Sequence, residues 1–96
     1  VFDAKKARQL GFIHERVSEE WLADEVAAFC NKVVKNSPDA VKTCKQLLHD
    51  VAGAPITDEL IADTVKGIAD IRSSKQGREG VQAFLQKRKP DWLMAD

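Results

Sequence analysis

The side chains in this chain that could do chemistry are few and scattered. His14 and Glu15 come nearest to an acid/base pair. They are adjacent in a stretch that reads as extended, so they would point to opposite faces and cannot share a proton carrier's site. Glu19, Glu20 and Glu79 stand where helices begin, which reads as dipole complementation rather than catalysis. Cys30 and Cys44 fall on apolar stripes and read as small buried hydrophobes of a reducing compartment. A disulfide is open to them but is not needed. A metal site would want more ligands at tighter spacing than these cysteines with His14 and His49 provide, so no metal is expected. Lys87-Arg88-Lys89 is a short basic run of the kind that can meet a phosphate backbone. Three charges without interleaved aromatics are a poor nucleic-acid signal.

Composition agrees with that. Fifteen basic residues balance fifteen acidic ones, so no long-range field draws nucleic acid or an anionic membrane. The chain is 44% hydrophobic and 31% charged, the balance of a folded domain rather than a disordered one. At 96 residues it is one small domain at most. Its apolar runs are too short to span a bilayer, and no signal peptide is visible. No membrane or nucleic-acid partner is expected, and the expected location is cytoplasmic, or the mitochondrial matrix in a eukaryote. The first residue is Val1 rather than Met, which suggests a fragment, a processed product or a trimmed protein.

The elements that must position these residues are helices. Asp3 to Leu10 carries Ala4, Ala7 and Leu10 at helical spacing, with Asp3 as N-cap and Gly11 as the stop. Phe12 to Val17 is the one candidate strand, or else an extended connector. Ser18 opens a second helix with the stripe Leu22, Val26, Phe29, Cys30 and Val33, ending at Asn36. Ser37-Pro38-Asp39 opens a third, with the stripe Val41, Cys44, Leu47, Leu48 and Val51. Gly53 and Pro55 break the chain, and Thr57-Asp58-Glu59 caps a fourth helix with the stripe Leu60, Ile61, Val65, Ile68 and Ile71. Ser73 with Gln76 fits a capping box for a last helix, which should run to about Lys89 and stop before Pro90. The fold class is therefore all-α, about five helices with at most one short strand. That lone strand has no partner in the chain, a sign that something is supplied from outside.

Three segments in order carry a resemblance. Phe2-Asp3-Ala4-Lys5-Lys6-Ala7 through Gly11-Phe12-Ile13-His14-Glu15 is the first. Ser37-Pro38-Asp39-Ala40 through Lys45-Gln46-Leu47-Leu48 is the second. Arg78-Glu79-Gly80-Val81-Gln82-Ala83-Phe84-Leu85-Gln86-Lys87-Arg88-Lys89-Pro90 is the third. Together they resemble the C-terminal helical part of the enoyl-CoA hydratase/isomerase (crotonase) family over essentially the whole chain, with Gln86 replacing the usual acid. Val51 to Ile56 and Trp92 lean towards the methylglutaconyl-CoA hydratase-like branch.

The resemblance implies a division of labour. The family's N-terminal spiral domain holds two backbone N–H donors for the thioester oxyanion and the acid/base glutamates, and no such segment is in this chain. The helical part closes the active site and joins subunits, as a trimer or a dimer of trimers. No catalytic residue is then expected here, and no cofactor beyond the coenzyme A thioester itself as substrate. Phe84 matches a position bordering the acyl or pantetheine channel, Lys87 one approaching the adenosine phosphates, and Ile68 one lining the acyl tail. With the last helix running to about Lys89, Phe84 and Lys87 lie on one helical face as i and i+3. Plain packing for Phe84 and Ile68, and a solvated face for Lys87, remain the alternative readings. A free-standing, non-catalytic helical module for self-association is the alternative to the enzyme segment.

Overall fold

Asp3 starts the first helix as its sequence demands: its carboxylate accepts the Lys6 N–H at 2.8 Å. The computed structural model describes residues 1–94 and contains helices and turns only among them. They are α1 (Ala4–Gln9), α2 (Leu22–Val33), α3 (Pro38–Val51), α4 (Asp58–Ser73) and α5 (Lys75–Leu85), with 3₁₀ turns at Glu19–Trp21 and Asp91–Leu93. No helix is long and apolar enough to cross a membrane. The chain divides into two units, Val1–Lys32 and Val33 onward.

In the first unit, α1 closes in a Schellman motif. Gly11 takes φ +80°, the Gly11 N–H donates to Arg8 O and the Phe12 N–H donates to Ala7 O. This fold-back stacks the Phe12 ring on Phe2, centroids 5.6 Å apart and 10° from parallel. Of the two readings open for Phe12–Val17, the structure takes the connector. Its first N–H is spent on the helix end, and among the described residues there is no strand to pair with the others. Glu15 turns back to Arg8 at 3.1 Å instead of serving His14. Ser18 precedes the 3₁₀ turn rather than α2 itself, and its side chain caps no backbone N–H. The turn runs directly into α2, which ends at Val33, three residues before Asn36.

In the second unit, α3, α4 and α5 pack on one another. Ser37 caps α3 by accepting from the Ala40 N–H at 3.2 Å, with Pro38 at the first helical position. The Ser37 hydroxyl also donates to Gln76 Oε1 (2.5 Å), and that oxygen accepts the Asp39 N–H (3.0 Å). One glutamine thus ties the start of α3 to the start of α5. Gly53 at φ +71°, after the extended Ala52, makes the turn that ends α3. Thr57 caps α4 through the Leu60 N–H. The cap of α5 is Ser74, not Ser73: its hydroxyl accepts from the Gly77 N–H at 3.1 Å. Ser74 is also the C-cap of α4, donating its hydroxyl to Ile71 O at 2.6 Å, so the two helices share one residue as their joint. Gly77 is obligatory there, because a Cβ would lie 2.1 Å from Ile71 O.

Burial is the unexpected quantity. Among the described residues only Ala83 is buried, 2% exposed, under the helix contacts of α5. The accessible surface is 8618 Å². Two compact bodies of these units' sizes would together expose about 6,600 Å². The stripes are therefore real but only partly covered: Val33, Val51, Leu60 and Ile71 are half-buried and most of their neighbours are exposed. Cys30 and Cys44 are both exposed, against the expectation from their apolar positions.

Candidate functional site

The candidate site is built at the end of α5. The helix stops at Leu85 rather than near Lys89, and a second Schellman motif replaces its expected last turn. The Lys87 N–H donates to Phe84 O at 3.1 Å and the Arg88 N–H donates to Ala83 O at 3.0 Å. Lys87 sits at φ +53°, the one non-glycine residue with left-handed backbone among those described. Phe84 and Lys87 are thus joined through their backbones but do not share a helical face. The i, i+3 argument fails because Lys87 is no longer in the helix.

Behind that turn lies an ion pair that spacing alone does not announce. Arg88 donates to both carboxylate oxygens of Glu79, Nη1 to Oε1 at 2.5 Å and Nη2 to Oε2 at 2.9 Å. The Asp91 N–H adds a third hydrogen bond, to Oε1 at 3.0 Å. The Glu79 side chain is only 17% exposed. Its carboxyl pKa falls from the ordinary 4.5 to about 2, first through the hydrogen bonds from Arg88 and then that from Asp91 N–H, against the desolvation that opposes ionisation. The same pairing raises the Arg88 pKa. Glu79 is therefore neither a helix-start charge nor a catalytic acid: at neutral pH it holds no proton to give. Sequence reasoning missed this pair because its nine-residue separation fits no helical rule and depends on the turn at Lys87.

Gly80, the neighbour of Glu79, makes room for Trp92: a Cβ there would come within 3.2 Å of the indole ring. Trp92 Nε1–H donates to Lys35 O at 3.3 Å. Lys75, Gln76, Glu79, Asp91 and Trp92 line a shallow cleft of about 280 Å³. The adjacent Glu-Gly and Lys-Arg-x-Pro segments of the sequence thus have one structural purpose. They fold the chain's end across α5.

The three predicted contact residues are all open to solvent in this chain. Phe84 is 81% exposed and Ile68 on α4 is 65% exposed, so neither is core here. Lys87 is exposed and its ammonium has no ion-pair partner among the described residues. No cluster of His, Cys, Asp or Glu able to hold a metal is formed among the described residues.

Comparison with known proteins covers nearly the whole chain. The family model for enoyl-CoA hydratase/isomerase matches residues 1–94. A zebrafish (Danio rerio) protein, enoyl-CoA hydratase domain-containing protein 3, mitochondrial, is 32% identical over 97% of this chain and 32% of its own length. Carnitinyl-CoA dehydratase of Citrobacter koseri is 26% identical over 94% of this chain and 36% of its own. Among solved structures, a Legionella pneumophila protein described as an enoyl-CoA hydratase/isomerase (crotonase) superposes with TM-score 0.89 at 37% identity, over 95% of this chain and 35% of that one. The chain spans about a third of the length of the relatives it matches.

Proposed function

The chain belongs to the enoyl-CoA hydratase/isomerase family, and from that premise we propose that it serves as the helical C-terminal part of an acyl-CoA hydratase, closing the acyl-CoA pocket and joining subunits. One observation carries this reading: five helices are formed, yet only Ala83 is buried among the described residues. Apolar faces of that extent mark surfaces that another body covers. The proposed covering bodies are the catalytic part of the enzyme, a neighbouring subunit and the acyl group itself.

The chemistry proposed for the whole enzyme is addition of water across the double bond of a 2-enoyl-CoA. That reaction needs donors preorganised on the thioester oxygen, where charge develops, and a carboxyl group to carry the proton. Glu79 cannot carry it, being held ionised, and Glu15 is paired with Arg8. The catalytic groups are assigned to the remainder of the enzyme, and this chain contributes binding. Phe84 and Ile68 offer apolar surface to the pantetheine arm and acyl tail, and Lys87 offers the nucleotide phosphates an ammonium without an ion-pair partner among the described residues. Coenzyme A enters as part of the substrate, with no resident cofactor. Assembly as a trimer or a dimer of trimers would let one subunit's α5 reach its neighbour's ligand.

The test is hydration of crotonyl-CoA and methylglutaconyl-CoA by the complete protein and by this chain alone. Turnover by the complete protein, none by the chain above a heat-killed control, is the expected result. A complete protein that binds and hydrates neither thioester but still self-associates would replace this reading with that of a non-catalytic assembly module, which the same exposed stripes favour.

A further inference from the structure

Gly11 and Lys87 occupy the same position in two Schellman endings of one chain, φ +80° and φ +53°. The position favours glycine, which alone enters the left-handed region without steric penalty. Lysine gains nothing there from backbone preference. A side chain held in a strained conformation persists only where its surroundings over-determine it, and such positions gather at ligand clamps. The surroundings are on either side of Lys87 in sequence. Arg88 forks onto both oxygens of Glu79, and the Asp91 N–H closes onto Oε1 of the same carboxylate. Trp92 then packs over Gly80 and donates its indole N–H to Lys35 O, anchoring the far end. The turn is bracketed, while the ammonium it presents is left without an ion-pair partner among the described residues.

We propose that Glu79 and Arg88 are positioning residues, whose two-pronged ion pair fixes the left-handed turn that presents Lys87 to the anionic phosphates of an acyl-CoA. The proposal rests on the assignment of Lys87 to those phosphates. It adds that the contact depends on a carboxylate that never touches the ligand.

Electrostatics supplies a test with opposite signs. Removing the negative charge of Glu79 should, through space alone, make the neighbourhood more attractive to phosphate and lower KM. If the pair positions Lys87, the same change loosens the turn and raises KM. The experiment is steady-state hydration by the complete protein, using crotonyl-CoA and crotonyl-pantetheine, with Glu79→Gln, Lys87→Ala and the double variant. The expected result is a several-fold rise in KM for the CoA thioester in Glu79→Gln, with kcat and the pantetheine KM unchanged. In a Lys87→Ala background the added substitution should change nothing, because residues acting through one contact are not additive. Arg88→Lys keeps the charge but loses the planar fork, and should give the same selective rise should Glu79→Gln fail to fold. A KM that falls or stays level in Glu79→Gln, while Lys87→Ala raises it, overturns the positioning role and leaves the Lys87 assignment standing. No CoA-specific effect from Lys87→Ala overturns both. Equal losses on the two thioesters would make the pair merely structural and also overturn the proposal.

Discussion

Two glycines, Gly77 at the start of α5 and Gly67 within α4, have different physical roles. At Gly77 a methyl group would meet the carbonyl oxygens of Ile71 and Arg72 at 2.1 and 2.7 Å, and these belong to backbone that ends α4. Gly77→Ala should therefore destabilise the second unit by about 1–3 kcal/mol or more, by analogy with overpacking. Gly67, mid-α4, has nothing within 4 Å of the same atom. Gly67→Ala should instead stabilise by about 0.5–1 kcal/mol through helix propensity. Urea denaturation of both variants, followed by circular dichroism, decides the pair; the same sign in both would refute the steric account. Phe84 makes a third case. At 81% exposure its truncation should change this chain's own stability by less than about 0.5 kcal/mol. The same Phe84→Ala should weaken acyl-CoA binding in the complete protein, measured as KM. A large loss of stability in the isolated chain would mean the ring is core after all. At this scale the sequence was legible for side chains whose task is local, such as the caps Asp3, Ser37 and Thr57. It was not legible for Gly77, whose neighbours are set by the joint at Ser74, or for Glu79, whose partner is set by the turn at Lys87.

The starts at Asp3, Ser37 and Thr57 and the glycine stops at Gly11 and Gly53 were readable from sequence; the start of α2, the cap of α5 and the end of α5 were not. A start is set by one side chain's hydrogen bond to a nearby N–H, so Ser, Thr and Asp announce it. The end of α5 depends on a lysine entering a backbone region where sequence statistics look for glycine, and the periodic residue Arg88 continued the pattern past the true stop at Leu85. The strand alternative at Phe12–Val17 failed for a related reason: β-branched and aromatic residues describe a surface preference, and pairing needs a neighbour. The ion pair that ends α5 makes an element-scale prediction. Glu79 has a folded pKa of about 2 against an ordinary 4.5, so its stabilisation is complete above about pH 4.5 and is lost as pH falls towards 2. Order in the Gln86–Leu93 turn, followed by amide chemical shifts, should fade over that interval. In Glu79→Gln it should already be reduced at neutral pH and show no such step. A turn equally ordered at pH 2 in the unaltered protein would contradict the role given to the carboxylate.

For the molecule as a whole, the pattern of stripes predicted helices correctly and burial incorrectly. Periodicity reports which face seeks cover but says nothing of what provides it; Val26 and Phe29 on α2 and Val65 and Ile68 on α4 all remain exposed. The consequence in solution is association. Static light scattering of the isolated chain at micromolar concentration should show species larger than 10.7 kDa, and a clean monomer across a hundredfold dilution would count against it. That Ala83 alone is buried among the described residues has a calorimetric counterpart. Heat capacity rises on unfolding because apolar surface meets water, by about 12–15 cal/mol/K per residue for ordinary domains. A monomer of this chain, held dilute, has already made about a third of that contact before it melts, since 8618 Å² is exposed where a compact chain of 10.7 kDa would show about 5,500 Å² and an unfolded one about 15,500 Å². Its increment should fall well below that value and its endotherm should be broad, closer to the gradual fraying of joined helices than to a cooperative transition. The steepness of a melting curve would then measure how much of the missing cover has been restored.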